Sequence, residues 1–330
     1  MKSAGPLILL LMLGTTVALP SFSAAASSSS FGSIQGLPGT QAGAAPILTT
    51  NGPVSKVCSF GVHVGPTGIY AIGTGVYVED WDTGNLMWCG KDGSQFIVES
   101  PPLDGGGLGY TGMAGVNTGL GLVLVLVSWS ADAGPGLWFC FGATPVQSSG
   151  CAFQSAFILL PSSFCATLKT GTCSPGGIAL DSALNVYYTD FANAVVVKCS
   201  LLSANQHCAV IETLSRKPFG LYRNPATGDL WVSDDSCTGY VWKNGVVQYT
   251  LNDELEGITI SSANPTKTPH VYVADTEFCS LTAPAHIQDL TDGKSLHTPL
   301  TGAEEILGIT TGLQFTAFDT GDVWSVRDRS

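Results

Sequence analysis

Runs of apolar residues divide most of the chain into six similar segments. Each segment opens with a glycine and a medium-sized apolar residue, and a run of β-branched or aromatic residues follows a short turn. The six openings are Gly68-Ile69, Gly112-Met113, Gly177-Ile178, Gly220-Leu221, Gly257-Ile258 and Gly308-Ile309. Most segments contain a third such run. Four short strands per segment are typical of propeller blades, so the pattern predicts an all-β fold, a six-bladed β-propeller.

The last segment ends soon after its third apolar run, at Ser330. A sheet without its fourth strand would leave an open edge. We expect residues 54–64 to supply this strand and to join both ends of the chain in one ring. A β-sandwich in which the repetition arises by chance is the alternative architecture.

An acidic residue ends the second run in most segments. The positions are Asp80, Asp190, Asp234, Asp275 and Asp319, whereas Ser128 replaces the acid in the second segment. Five carboxylates in register could form a metal-binding ring. A residue that recurs in every blade more often serves the blade itself, and Asp readily accepts hydrogen bonds from turn amides. We therefore interpret these aspartates as structural.

Several segments resemble known repeats. Residues 177–181 (Gly-Ile-Ala-Leu-Asp) and 185–190 (Asn-Val-Tyr-Tyr-Thr-Asp) are similar to the NHL repeat and to the YWTD repeat, and so is the stretch 220–234. The resemblance extends from about residue 61 onward. It implies a six-bladed propeller related in fold to gluconolactonase-like and strictosidine-synthase-like propellers. Such propellers include binding modules, lyases and lactonases, so the resemblance does not choose a function.

Charge and glycine content narrow the class of protein. Charged residues make up 12% of the chain, glycine occurs 40 times, and the formal net charge is −12. A nucleic-acid-binding protein needs a basic surface, and disordered chains are typically rich in charge and poor in aromatic residues. Exposed faces of long helices would carry Glu, Lys and Arg. The composition argues against all three classes and fits a turn-rich β protein.

The N-terminal residues have the composition of an export signal. Lys2 is followed by an apolar run and then by Ser23 and three alanines. This order predicts a signal peptide over 1–26, a flexible Ser/Gly/Ala leader over 27–45 and one propeller domain over 46–330. An uncleaved anchor is the alternative. The apolar run 120–129 is too short to span a membrane and is expected to be a buried strand or a pair of strands. We expect a secreted, extracellular monomer without a membrane span.

Ten cysteines, an even number, fit disulfide bonding in an oxidising compartment. Short separations favour Cys140–Cys151, Cys199–Cys208 and Cys165–Cys173, the last within an insertion over 152–175 between blades two and three. Among the four cysteines that remain, we favour Cys237–Cys279 and Cys58–Cys89, each across neighbouring blades. Other pairings of these four stay open, because sequence alone does not determine connectivity.

Residues that do not repeat between blades mark the candidate binding face. In a propeller, the loops that lead into each first strand and those that join the second strand to the third surround one mouth of the channel. Aromatic side chains beside carboxylates suit a sugar or a cationic group. The candidate ligand-binding residues on this face are Trp81, Asp82, Trp129, Phe191, Phe219 and Asp235. The expected partners are a glycan, a basic peptide or an extracellular protein, and not a nucleic acid.

Metal-dependent catalysis is the alternative function. Gluconolactonase-type propellers hold calcium through side chains at or near the residue before the first-strand glycine. The residues in that place are Thr67, Thr111, Gly176, Phe219, Glu256 and Leu307. Glu256 is the one carboxylate among them, whereas calcium takes about six to eight oxygen ligands. We therefore predict no cofactor and assign no metal ligands, and calcium is the weakly supported exception.

Three glutamates are the candidate catalytic residues: Glu256, Glu304 and Glu305. They could form an acid–base pair at the channel mouth if the blades bring them together. The first hypothesis is an exported binding module that recognises a glycan, a cationic peptide or a protein on the mouth face. The alternatives are a metal-assisted hydrolase, lactonase or lyase that uses Glu256, and a structural wall or matrix protein.

Overall fold

The computed structural model describes residues 54–61, 65–100, 110–118, 121–130, 134–200, 206–260, 270–276, 286–297, 303–309, 312–317 and 320–326. Within these ranges the chain forms 24 strands and one short helix. The expected signal peptide over 1–26 and leader over 27–45 lie outside the described residues.

The strands form six antiparallel sheets of four strands each. The first strand, β1 (Val54–Ser59), belongs to the last sheet. Blade one contains β2 (Pro66–Ile72), β3 (Gly75–Asp80), β4 (Leu86–Gly90) and β5 (Gln95–Glu99). Blade two contains β6 (Tyr110–Thr118), β7 (Gly121–Ser130), β8 (Gly134–Ala143) and β9 (Cys151–Leu159). Blade three contains β10 (Pro175–Leu180), β11 (Val186–Asp190), β12 (Val195–Ser200) and β13 (His207–Thr213).

The second half of the ring has the same construction. Blade four contains β14 (Pro218–Arg223), β15 (Leu230–Asp234), β16 (Tyr240–Lys243) and β17 (Val246–Thr250). Blade five contains β18 (Glu254–Ile260), β19 (Val271–Thr276), β20 (His286–Asp289) and β21 (Lys294–His297). Blade six contains β22 (Ala303–Ile309), β23 (Gly312–Ala317) and β24 (Asp322–Val326), and β1 completes it.

The first strand of each blade lines the centre of the ring. The inner strands β2, β6, β10, β14, β18 and β22 contact one another in that order, and β22 contacts β2, so the ring is closed. In blade six, β1 pairs antiparallel with β24, and Nζ of Lys56 lies 2.7 Å from Oδ2 of Asp322. The predicted six-bladed propeller with an N-terminal strand in its last blade is confirmed, and the β-sandwich alternative is wrong.

The hydrophobic core lies between neighbouring blades. One cluster of buried side chains combines Val125 and Phe139 of blade two with Ile178 and Tyr188 of blade three. Burying both faces of a sheet leaves few exposed positions for charged residues, which explains the low charge content of the sequence.

Every inner strand has a bulge near its start, where two residues oppose one residue of the second strand. The first bulge residues are Thr67, Thr111, Gly176, Phe219, Glu256 and Glu304. The second bulge residues are Gly68, Gly112, Gly177, Gly220, Gly257 and Glu305. The repeated glycine therefore marks the second place of a bulge in five of the six blades.

Close approach between inner strands explains the glycine. A Cβ atom on Gly220 would lie 1.9 Å from the carbonyl oxygen of Glu256 in the next blade. A Cβ atom on Gly68 would lie 2.9 Å from the backbone nitrogen of Met113. Neither distance is compatible with a side chain unless the strands move apart.

The register of blade six corrects the expected alignment. The bulge is formed by Glu304-Glu305, and the expected opening Gly308-Ile309 lies further along β22. Glu304, rather than Leu307, is thus the first bulge residue of this blade. Ala317 pairs with the first residue of β22 and occupies the place expected for Asp319, which lies outside the described residues. Both errors have one cause: the backbone hydrogen bonds, and not the Gly-Ile pattern, set the register.

Four predicted disulfides are present: Cys58–Cys89, Cys140–Cys151, Cys165–Cys173 and Cys199–Cys208. Cys237 is also disulfide-bonded, and its expected partner Cys279 lies outside the described residues. Cys58 belongs to β1 and Cys89 to β4, so their bond joins the closing strand of blade six to blade one.

The connection between blades two and three is shorter than the range expected for an insertion. Most of the first half of 152–175 belongs to β9, the outer strand of blade two. The remainder contains the helix α1 (Ser162–Cys165) and the Cys165–Cys173 bond. The apolar run 120–129 contributes to β7. No helix in the described ranges is long and apolar enough to cross a membrane.

Candidate functional site

The channel mouth is the end of the propeller at which the inner strands begin. The second strands end there as well, because each pairs antiparallel with an inner strand; Asp80, for example, pairs with Pro66. The first bulge residues surround this mouth, and we name them the mouth ring: Thr67, Thr111, Gly176, Phe219, Glu256 and Glu304. Two neighbouring members are glutamates, so the ring is acidic at blades five and six.

The repeated aspartates hold turns in blades one and three. Oδ1 of Asp80 accepts hydrogen bonds from the amides of Gly65 at 3.0 Å and Asp82 at 3.1 Å. Asp190 accepts one from the amide of Ser174 at 2.9 Å. These contacts confirm the structural interpretation for both residues.

The repeated aspartates of blades four and five, Asp234 and Asp275, each lie close to another acidic residue. Asp275 is 2% exposed, accepts a hydrogen bond from Nε2 of Gln288 at 2.5 Å and lies 3.3 Å from Nε2 of His286. Burial, followed by the charge of Asp253, raises the pKa of Asp275 to about 8. Burial also raises the pKa of Asp234 to about 6. Burial therefore favours the protonated, neutral form of both carboxyl groups.

Three carboxylates converge at this place. Asp235 directly follows β15, and its amide donates a hydrogen bond to the carbonyl of Lys217 at 2.9 Å. Glu254 begins β18, and Glu256 belongs to the mouth ring. One carboxylate oxygen from each of Asp235, Glu254 and Glu256 lies within 4.8 Å of the other two. We name these three residues the mouth cluster.

Proximity and burial hold a proton in the mouth cluster. Burial raises the pKa of Glu254 to about 8, and a hydrogen bond with Asp235 and the charges of Asp235 and Glu256 act in the same direction. The charge of Lys217 lowers this pKa but does not reverse the shift. Glu254 is therefore mainly protonated at neutral pH. A cation bound among the three carboxylates would displace this proton and neutralise their negative charge in its place.

The backbone of Glu256 is fixed by the neighbouring blade. Its carbonyl oxygen accepts a hydrogen bond from the Ser233 hydroxyl at 2.5 Å, and the residue is 9% exposed. Phe219 occupies the adjacent position of the mouth ring in blade four and is partly exposed. Its Cδ2 atom lies 3.5 Å from where a Cβ atom on Gly176 would be, an ordinary packing distance, so Phe219 packs beside the mouth-ring position of blade three. An aromatic side chain thus lines the mouth next to the acidic cluster.

The other predicted site residues are spread around the same face. Trp81 and Phe191 directly follow the second strands of blades one and three and are partly exposed, and Asp82 is exposed. Trp129 lies within β7, and its side chain is outside the described part of the structure. Glu304 and Glu305 lie in β22, and their side chains are likewise outside it.

The structure brings together two predicted residues, Asp235 and Glu256, and adds Glu254, which sequence reasoning missed. The signal was the spacing of Glu254 and Glu256, two residues apart at the start of a strand, where alternate side chains share a face. Their meeting with Asp235 depends on the contact between blades four and five.

Residues of the inner strands also line a cavity at the centre of the ring. A cavity of about 150 Å³ is lined by inner-strand residues that include Tyr70, Met113, Ala114, Tyr222 and Arg223. Burial raises the pKa of both tyrosines. A cavity of this size holds about one benzene-sized molecule.

Comparison with known proteins supports the fold. No protein-family model and no curated protein sequence matches the chain. Among solved structures, the PQQ-bound aldose sugar dehydrogenase of Streptomyces coelicolor is 11% identical, with a TM-score of 0.57 over 85% of this chain and 99% of that chain. A streptogramin B lyase is 13% identical, with a TM-score of 0.52 over 84% of this chain and 98% of that chain.

A protein with a provisional gluconolactonase assignment is also similar. It is 13% identical, with a TM-score of 0.53 over 86% of this chain and 94% of that chain. At these identities the likeness concerns the fold, and the three proteins differ in what they are named for. The chain is therefore a six-bladed β-propeller.

Proposed function

We propose that this chain is an exported propeller that binds a cationic group, carried by a basic peptide or an extracellular protein, at the channel mouth. The observation that carries this proposal is the mouth cluster, in which oxygens of three carboxylates lie within 4.8 Å of one another. The proton on Glu254 relieves the repulsion among these groups, and a bound cation would take its place. The net charge of −12 attracts the same partners at longer range.

Aromatic side chains add a second attraction. Phe219 adjoins the mouth cluster around the ring, and Trp81 and Phe191 lie on the same face, all three partly exposed. A Lys or Arg side chain is attracted to an aromatic face as well as to carboxylates. This combination favours an organic cation on a peptide or protein over a neutral glycan.

Export is supported by the disulfides. Four of them are present in the described residues, and such bonds persist in oxidising compartments. We propose that residues 1–26 act as a signal peptide, that residues 27–45 form a leader, and that residues 46–330 function as one monomeric domain.

The second candidate function is metal-assisted hydrolysis or lyase chemistry, which the donor set of the mouth cluster favours. Carboxylate oxygens suit Ca²⁺, which would polarise a substrate carbonyl, and Glu304 follows Glu256 in the mouth ring. The pKa of Glu254, raised to about 8, suits a group that gives or takes a proton near neutral pH. Two structural neighbours, a streptogramin B lyase and the protein provisionally assigned as a gluconolactonase, are in keeping with this class.

Isothermal titration calorimetry of the full chain separates the two candidates. One titration uses a tetralysine peptide at low and high NaCl, and another uses CaCl₂. We expect the wild type to bind the peptide, and Glu256→Gln and Asp235→Asn each to weaken binding about tenfold or more. Asp92→Asn, at an exposed carboxylate in the turn between β4 and β5, away from the mouth face, is the matched control and should bind as the wild type does.

The outcomes differ for each candidate. Calcium binding without peptide binding, lost in Glu256→Gln, would favour metal-assisted chemistry and reject the peptide proposal. Peptide binding that Glu256→Gln leaves unchanged would reject the mouth cluster as the site. Thermal melts of each variant show whether a loss of binding reflects a loss of fold.

A further inference from the structure

A second group of metal-ligating side chains lies at the other end of blade five. His270 directly precedes β19, Asp289 ends β20, and Asp292 lies in the turn between β20 and β21. The mouth cluster adjoins the opposite end of β19, because Asp275 near that end pairs with Leu255 beside Glu254. One donor atom from each of His270, Asp289 and Asp292 lies within 4.8 Å of the other two.

Hydrogen bonds fix the position of Asp289. The residue is 3% exposed, and its Oδ1 accepts bonds from the amides of Thr291 at 3.0 Å and Asp292 at 3.2 Å. Its Oδ2 lies 2.8 Å from Nδ1 of His270. A further hydrogen bond connects this turn to β19: the amide of Val271 donates to Oγ1 of Thr291 at 3.0 Å.

The imidazole of His270 is held on its other side. Its ring stacks on Tyr272, with centroids 6.1 Å apart and an interplanar angle of 20°. The side chain is 12% exposed, and Asp292 is exposed, so water reaches the group. Two donors are therefore oriented before any ion binds, and the third borders solvent.

We propose that His270, Asp289 and Asp292 form a binding site for Zn²⁺ or a similar first-row divalent cation. One imidazole nitrogen and two carboxylate oxygens suit Zn²⁺, and water would take the fourth position. Ligand atoms about 2.05 Å from a tetrahedral ion lie about 3.3 Å apart. Nδ1 and Oδ2 would therefore separate by about half an ångström as the ion replaces the proton between them.

The site has one carboxylate more than a hydrogen-bonded His–Asp pair needs. A His–Asp pair needs no second carboxylate, yet Asp292 brings one to within 4.8 Å. The turn of blade one has an aspartate in the corresponding place, Asp92, whose side chain accepts hydrogen bonds from Ser94. Asp92 belongs to neither three-residue group that could hold an ion in the described residues. Blade five, unlike blade one, thus combines a histidine with two aspartates among the described residues, and the ion would join the start of β19 to the turn after β20.

Calorimetric titration of the full, chelator-treated chain with ZnCl₂ tests the proposal. We expect one zinc site in the wild type, and His270→Ala and Asp292→Asn each to weaken zinc binding at least about tenfold. Two matched controls should retain it: His207→Ala removes an exposed histidine of β13, and Asp92→Asn removes the turn aspartate of blade one. Asp289 is not replaced, because its side chain accepts hydrogen bonds from two amides of the turn and its loss would disturb the fold as well as the site.

Melting curves with and without ZnCl₂ provide a second measurement. Zinc should raise the melting temperature of the wild type and of both controls, but not of His270→Ala or Asp292→Asn. Without zinc, Asp292→Asn should melt close to the wild type, which keeps the test valid if His270→Ala folds poorly. Absence of zinc binding by the wild type, or equal binding by wild type and Asp292→Asn, would overturn the proposal.

Discussion

Removal of the Cys58–Cys89 disulfide tests how the ring is held closed. The bond joins residues 31 positions apart. In the chain-entropy model, a cross-link of this separation lowers the entropy of the unfolded chain by about 12 cal/mol/K, or about 3.7 kcal/mol at 25 °C. The Cys165–Cys173 bond, with a separation of 8, gives about 2.6 kcal/mol in the same model. Replacing the first pair by alanine should therefore cost about 1 kcal/mol more than replacing the second.

The comparison is matched in burial and in the atoms removed, because all four cysteines are buried and both double variants lose two sulfurs. The second variant also removes the Cys173 sulfur that accepts a hydrogen bond from the Tyr188 hydroxyl at 3.7 Å, so a Cys165→Ala/Cys173→Ser variant serves as its control. The assay is equilibrium urea unfolding, followed by tryptophan fluorescence and far-UV circular dichroism. The native spectrum should be unchanged in both variants, since the β1–β24 pairing and the Lys56–Asp322 ion pair remain. Equal losses of unfolding free energy in the two variants, or a larger loss for Cys165→Ala/Cys173→Ala, would refute the reasoning.

Two further predictions concern the mouth. Between about pH 5 and pH 7, Glu254 is protonated in the folded chain and ionised in the unfolded chain, so stability falls as pH rises, by at most about 1.4 kcal/mol per unit from this group. Glu254→Gln should flatten this slope in urea unfolding at several pH values, and an unchanged slope would contradict the raised pKa. Gly220→Ala should cost about 1–3 kcal/mol, because its Cβ atom would collide with the Glu256 carbonyl. Gly73→Ala is the control and should be neutral, since nothing lies within 4 Å of its Cβ position; equal effects would contradict the packing argument.

The fold could be predicted from the sequence because the same packing requirements repeat from blade to blade. Five blades have a glycine at the bulge where inner strands approach, and each blade has a short second strand behind its inner strand, so the repeated pattern predicts six blades. Blade six shows the limit of this reasoning. Its stretch Glu304–Ile309 contains isoleucine at two places, and only the hydrogen-bond register decides that Glu304-Glu305 form the bulge.

The site was less predictable for a different reason. Asp235 and Glu256 each stand out as non-repeating acids, but they belong to different blades, and their separation is set by how those blades pack. Glu254 joins them through the fold, which places one of its carboxylate oxygens within 4.8 Å of an oxygen of each of the other two. The positions of these acids in the sequence predict an acidic face. The contact between their carboxylates depends on how blades four and five pack together in the ring.

Among the described strands, β1 is synthesised first, yet it pairs with β24, the last of them. Blade six cannot be completed before β24 is synthesised, so β1 waits for this partner while the strands between them are made. The Cys58–Cys89 bond is local by comparison and becomes available once blade one exists. An oxidising compartment could thus hold β1 beside blade one while the other blades form, so that the waiting strand is already in place when its partner arrives.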